Sequence, residues 1–172
     1  MSVAATPYST PSGGPLPRLV RAGLLTGVTD GLFASVLSVA FYHSTVERVF
    51  QGIAATLLGP EAFNGGIRTA VVGVLMHFGV AFAWSAIFLL LVARSPRIRG
   101  VLATRYGRLK IAALYGPLVW LVMSLAVIPL LLHRPPRITG RWWILLLGHI
   151  PFVGMPIVAS IAGPSARRSG NG

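Results

Sequence analysis

Four stretches of this chain, at about 19–42, 67–92, 109–132 and 142–163, carry at most two charged side chains each. Each is long enough for the roughly 20 residues that a helix needs to cross a bilayer. Backbone amides in hydrocarbon have no water to bond, so such segments must be helices or strands of a closed barrel. These lack the apolar/polar alternation of barrel strands. The expected fold is therefore all-α: a polytopic membrane four-helix bundle, spanning residues 18–164, with lipid as the solvent for most of the chain.

Composition agrees with that reading. Of 172 residues, 54% are hydrophobic and 10% charged, against about a quarter charged in an average soluble domain. The net charge of +12 would suggest nucleic acid in a soluble protein. Here the basic residues lie between apolar blocks, with no aromatic-interleaved stripe or zinc-finger spacing, so no nucleic-acid partner is expected. The chain has no cysteine, which removes disulfides, thiolate metal sites and cysteine nucleophiles. Only three residues are acidic, Asp30, Glu47 and Glu61, which argues against paired-carboxylate chemistry. Phosphate-binding glycine loops and the common hydrolase signatures are missing, so no enzyme activity, metal or cofactor is expected from motifs.

Residues 1–17 are rich in Pro, Ser, Thr and Gly and hold no charge, which reads as a disordered N-terminal tail. Residues 165–172 form a short basic C-terminal tail. A cleaved signal peptide is not expected, because the first apolar block is long, contains Asp30 and lacks a small-x-small cleavage site at its end. Orientation follows from the side on which basic residues gather. Arg18, Arg21, Arg94, Arg97, Arg99, Arg105, Arg108, Lys110, Arg167 and Arg168 fall on one side, and Arg48, Arg68, Arg134, Arg137 and Arg141 on the other. Ten against five places both termini in the cytoplasm, with Trp142, Trp143 and Tyr42 as anchors at the outer interface.

The first outer connection carries a helix signal of its own over about 45–58. Ser44 and Glu47 fit a capping box, and Val46, Val49, Phe50, Ile53, Leu57 and Leu58 recur at helical spacing before Gly59-Pro60. An interfacial or re-entrant amphipathic helix is expected between spans one and two, with Val49, Phe50, Ile53 and Leu57 toward lipid or the bundle and Glu47, Arg48 and Gln51 toward water.

The runs GLLTGVTD at 23–30, RVFQGIAATLLGPEAFNGG at 48–66 and GVLMHF at 73–78 resemble a family of small four-span bacterial inner-membrane proteins of unknown function. The resemblance covers most of the chain and implies a multi-pass location in the bacterial inner membrane. It supplies no activity and no catalytic residue.

Three ionisable residues fall inside the spans, Asp30, His77 and His149. On a 1.5 Å rise per residue, Asp30 lies roughly 16 Å from the inner edge, and His77 and His149 lie roughly 15 and 10 Å from the outer edge. Their depths overlap in a hydrocarbon core of about 30 Å. Gly23, Gly27 and Gly31, continued by Ala34, Ser35 and Ser38, make a small-residue face on span one. Thr69, Gly73, His77, Ala81 and Ser85 make one on span two. Such faces let helices approach closely, so spans one and two are expected to pack with Asp30 facing His77. In span four, Pro151 and Pro156 deprive the carbonyls of Leu147 and Phe152 of helical donors beside His149. Gly116-Pro117 and Pro129 should bend span three.

These residues form a candidate intramembrane polar site. An ionisable group at membrane depth points first to a transport or proton-coupled role. Kinked backbone beside a histidine fits the same class. The alternatives are a non-catalytic membrane subunit or assembly factor, whose polar residues specify packing, and a haem-binding electron carrier with His77 and His149 as axial ligands. The expected partners are the lipid bilayer and either a second copy of the chain or another membrane protein.

Overall fold

The computed structural model describes residues 14–162. Most of the expected N-terminal tail, and the basic C-terminal tail with Arg167 and Arg168, lie outside the described residues. Residues 15–17, expected in the tail, form the first turn of a helix instead. Pro15 and Pro17 fit there because the first amides of a helix have no intrahelical acceptor to lose.

Six helices are present among the described residues: α1 Pro15–Tyr42, α2 Val46–Leu58, α3 Gly66–Arg94, α4 Pro96–Leu102, α5 Gly107–Leu132 and α6 Gly140–Ala162. The fold is all-α. Four of them, α1, α3, α5 and α6, are long and apolar enough to cross a membrane, which makes the architecture that of a multi-pass membrane protein. Large apolar side chains stand exposed along each, among them Leu32, Leu75, Leu114, Leu130 and Leu147. Lipid is the solvent that such a surface suits.

The main core lies between α1, α3, α5 and α6 and is built from Ala22, Phe88, Val92, Leu102, Ala112, Tyr115, Val119, Val153, Ile157, Val158 and Ile161. A smaller cluster of Ala54, Ala55 and Ala62, packed on Val72, joins α2 to α3. The bundle thus has an α2 end and an α4 end. At the α4 end, Arg18 donates to the Ile161 carbonyl and Arg21 to that of Ser160 at 3.1 Å. Arg99 donates to the carbonyls of Val92 and Ala93 at 2.9 and 2.8 Å. The last turns of α6 and α3 would otherwise leave these acceptors unpaired, and a cation is also favoured at the negative end of a helix.

At the α2 end, the structure corrects two local expectations. The N-cap of α2 is Thr45, whose hydroxyl accepts from the Arg48 amide at 3.1 Å. Ser44 is occupied elsewhere: its amide, with that of His43, closes α1 onto the Ser38 carbonyl, and His43 adopts a left-handed φ of 48° to do so. Gln51, expected to face water, is only 2% exposed. It donates to Glu47 at 3.1 Å and to the Gly66 carbonyl at 3.2 Å, because α2 folds back along the start of α3 instead of standing clear of it. Gly66, at φ 57°, makes the reversal that a residue with a side chain would resist.

Trp142 is also not an interfacial anchor. It is buried at 7% exposure and donates to Ser124 at 3.1 Å, tying α6 to α5, while Trp143 beside it is exposed.

Candidate functional site

The glycine face of α1 does meet α3, but through a different kind of packing from the expected stripe on stripe. A side chain at Gly23 would strike the Phe82 ring, one at Gly27 the Phe78 ring, and one at Gly31 would press on His77 at 3.3 Å. Large rings of α3 fill the notches of α1. The α3 glycine at 73 serves another partner: any side chain there would collide with the Phe50 carbonyl of α2. Small residues on α3 therefore admit α2, and small residues on α1 admit α3.

His77 is placed by this packing. Its Nε2 lies 2.9 Å from the Gly27 carbonyl oxygen, and Phe50 and Phe78 meet its ring edge-on at 6.0 and 5.9 Å between centroids. The direct Asp30–His77 pair is not formed, because Nε2 is turned to the α1 backbone one turn before the carboxylate. Among the described residues Asp30, which is half-buried, makes no hydrogen bond or ion pair.

At about 3.6 residues per turn, Asp30 falls between two faces of α1. One bears Gly23, Gly27 and Gly31 and meets α3. The other bears Thr29 and Phe33 and meets α6, where Phe33 stacks on Phe152 at 4.5 Å and occupies the space above Gly148. Asp30 thus stands at the edge of α1 between the faces that meet α3 and α6. His149 comes from the α6 side. It is 6% exposed, its Nδ1 lies 2.7 Å from the Leu145 carbonyl, and its ring packs on Trp120 at 4.9 Å. Among the described residues no hydrogen bond or ion pair joins any two of the three residues singled out from sequence: His77 is bonded to α1, and His149 to its own helix.

The proline-broken backbone of α6 is closed from within. The Leu147 carbonyl accepts from the Ile150 amide. That of Phe152 lies 2.7 Å from the Thr29 hydroxyl of α1, whose one proton it shares with the Leu25 carbonyl at 2.8 Å. A π-turn at Ile150–Gly154 takes up the extra residue, as one at Met123–Val127 does ahead of Pro129 in α5. The helix continues through Pro117, and Gly116 has a packing role: a side chain there would collide with the His149 carbonyl. A side chain at Gly154 would likewise collide with the Ala112 carbonyl. The backbones of α5 and α6 are thus nearly in contact beside the histidine.

Sequence reasoning missed Thr26, Thr29 and Trp120. Thr26, 3% exposed, and Trp120 each bury a polar atom that has no partner among the described residues. For Thr29 a signal existed, since a hydroxyl in an apolar span facing a proline-interrupted helix is the natural donor for the carbonyl that proline frees. Among the described residues, no group of three His, Cys, Asp or Glu side chains is disposed to hold a metal ion. No protein-family model matches the chain, and neither the curated proteins nor the solved structures searched contain a match.

Proposed function

We propose that this protein is a proton-coupled transport component of the bacterial inner membrane, in which Asp30 is the group that takes up and releases the proton. The observation that carries the proposal is the position of Asp30: a half-buried carboxylate in the interior of a membrane span, between the faces of α1 that meet α3 and α6, with no bonded partner among the described residues. A carboxylate that only fixed helix register would be expected to end on a donor, because an unpaired charge in hydrocarbon is costly. One that binds protons in turn must remain free of a permanent partner.

The test is flux through the purified protein in vesicles containing a pH-sensitive dye, under an imposed proton gradient. Asp30→Asn keeps the shape and removes the titratable group. It should slow proton movement by roughly tenfold or more, the factor that a barrier change of about 1.4 kcal/mol produces. Equal rates for variant and wild type, or a wild type no faster than empty vesicles, would sink the proposal.

Both termini are assigned to the cytoplasm. The α4 end carries Arg18, Arg21, Arg94, Arg97, Arg99, Arg105, Arg108 and Lys110 and no acidic residue, as the side that is not translocated should. A reporter fused after Gly172 should be active only if it works in the cytoplasm; activity of a periplasm-dependent reporter would reverse the assignment.

A second reading, a non-catalytic subunit or assembly factor, is favoured by the closure of the α6 backbone: both proline-freed carbonyls are satisfied inside the chain, as a packing device requires. Stoichiometric co-purification with one membrane partner, undisturbed by Asp30→Asn, would select it.

A further inference from the structure

We infer that the segment at 94–110, between the third and fifth helices, is a binding surface for the headgroups of anionic phospholipids. Four observations converge on it, none involving Asp30, so the inference stands apart from the proposed transport role.

The first is charge of a single sign. Arg94, Arg97, Arg99, Arg105, Arg108 and Lys110 lie within these residues without one acid. The acidic residues of the chain are remote, with Asp30 inside a span and Glu47 and Glu61 at the α2 end. Like charges held this close repel one another unless anions collect around them.

The second is that most of these cations are uncommitted. Arg99 is used on the α3 carbonyls and Arg105 lies over the Tyr106 ring at 5.0 Å. Arg94, Arg97, Arg108 and Lys110 make no side-chain hydrogen bond among the described residues. Arg94, Arg97, Arg105 and Lys110 are also exposed.

The third is depth. The 29 residues of α3 extend about 43 Å at 1.5 Å per residue, beyond the hydrocarbon core of about 30 Å. Arg94 at the end of α3, and the short α4 that follows, therefore sit at the level of lipid phosphates. The fourth is the company the charges keep. Val101, Tyr106 and Leu109 are 38%, 55% and 53% exposed in the same segment. A surface with both cations and exposed apolar side chains fits a ligand with an anionic head and an acyl tail; the apolar members would have no partner in free phosphate or nucleic acid. Guanidinium groups suit the phosphate by bidentate geometry as well as charge.

The experiment measures the motionally restricted fraction of spin-labelled phosphatidylglycerol and of spin-labelled phosphatidylcholine around the full-length protein in phosphatidylcholine vesicles. Wild type should prefer phosphatidylglycerol by about fivefold, the ratio equivalent to about 1 kcal/mol for a basic group near the surface. Raised ionic strength should bring the ratio toward one. Substituting Arg97, Arg105, Arg108 and Lys110 together by Gln should do the same at low salt. Arg134→Gln with Arg137→Gln at the α2 end should leave most of the preference intact. Replacing the three arginines by Lys should retain it, which separates charge from any failure of the Gln variant to fold. A wild-type ratio near one at low salt would overturn the inference. So would a preference that the α2-end substitutions remove as completely as those in 94–110.

Discussion

Gly116→Val is expected to destabilise the protein by on the order of 3 kcal/mol, the upper part of the usual range for overpacking a close contact. A side chain at this position would enter the space of the His149 carbonyl and the Ile150 amide. Both belong to backbone, which cannot rotate away as a side chain can. The α5 and α6 helices would have to separate, and the reciprocal contact of Gly154 with the Ala112 backbone would open with them. Gly79→Ala supplies the comparison, because nothing lies within 4 Å of an added Cβ there. It should fall within a few tenths of a kcal/mol of wild type or improve on it, through the lower cost of ordering alanine in a helix. Reversible unfolding in mixed micelles measures both. Equal stability of the two variants would mean that α5 and α6 do not pack as closely as described.

Thr29→Val should cost about 1–2 kcal/mol, and the loss should depend on a proline in another helix. The substitution keeps the side-chain volume and removes the hydroxyl whose one proton is shared between the Phe152 carbonyl at 2.7 Å and the Leu25 carbonyl at 2.8 Å. That carbonyl has no helical donor because Pro156 stands where the N–H would be. Left unpaired and away from water, it incurs the penalty of an unsatisfied acceptor, generally about 1–3 kcal/mol and toward the lower end between membrane helices. Pro156→Ala restores an amide four residues along. In that background Thr29→Val should cost much less, giving a coupling energy of order 1 kcal/mol in the double-mutant cycle. Strict additivity of the two changes would show that Thr29 and Pro156 do not share the Phe152 carbonyl.

These two cases mark how far the residues could be read without the fold. The spans were legible within about two residues at nearly every boundary, because hydrocarbon imposes one strong condition on every position of a crossing segment. The first boundary moved by four residues, since prolines that read as a tail are equally at home in an opening helical turn. Helix α2 was legible from its period. Its cap was not, because Ser44 and Thr45 are both good caps, and the choice depended on Ser44 being drawn into the close of α1. The outward face assigned to Gln51 failed for a related reason: an amphipathic pattern says which residues differ, while the polar one that bonds a neighbouring helix is chosen by the neighbour.

The candidate site shows the same division. From spacing alone, Asp30, His77 and His149 belonged at overlapping depths, the glycine face of α1 belonged in an interface, and the Leu147 and Phe152 carbonyls had lost their helical donors. Each is a property of a single helix, set by rise, period and the missing proline amide. Partner choice is a property of helix pairs, and there the fold decided. Phe78 and Phe82 filled the α1 notches, and Gly73 was given to Phe50 of α2. His77 turned to the Gly27 carbonyl, leaving Asp30 without the bond expected of it, and Thr29 took the Phe152 carbonyl. The physical reason is that lipid rewards burial of any apolar helix face about equally, so which helices meet is settled by steric fit and by the few hydrogen bonds available, and neither exists until the helices are side by side.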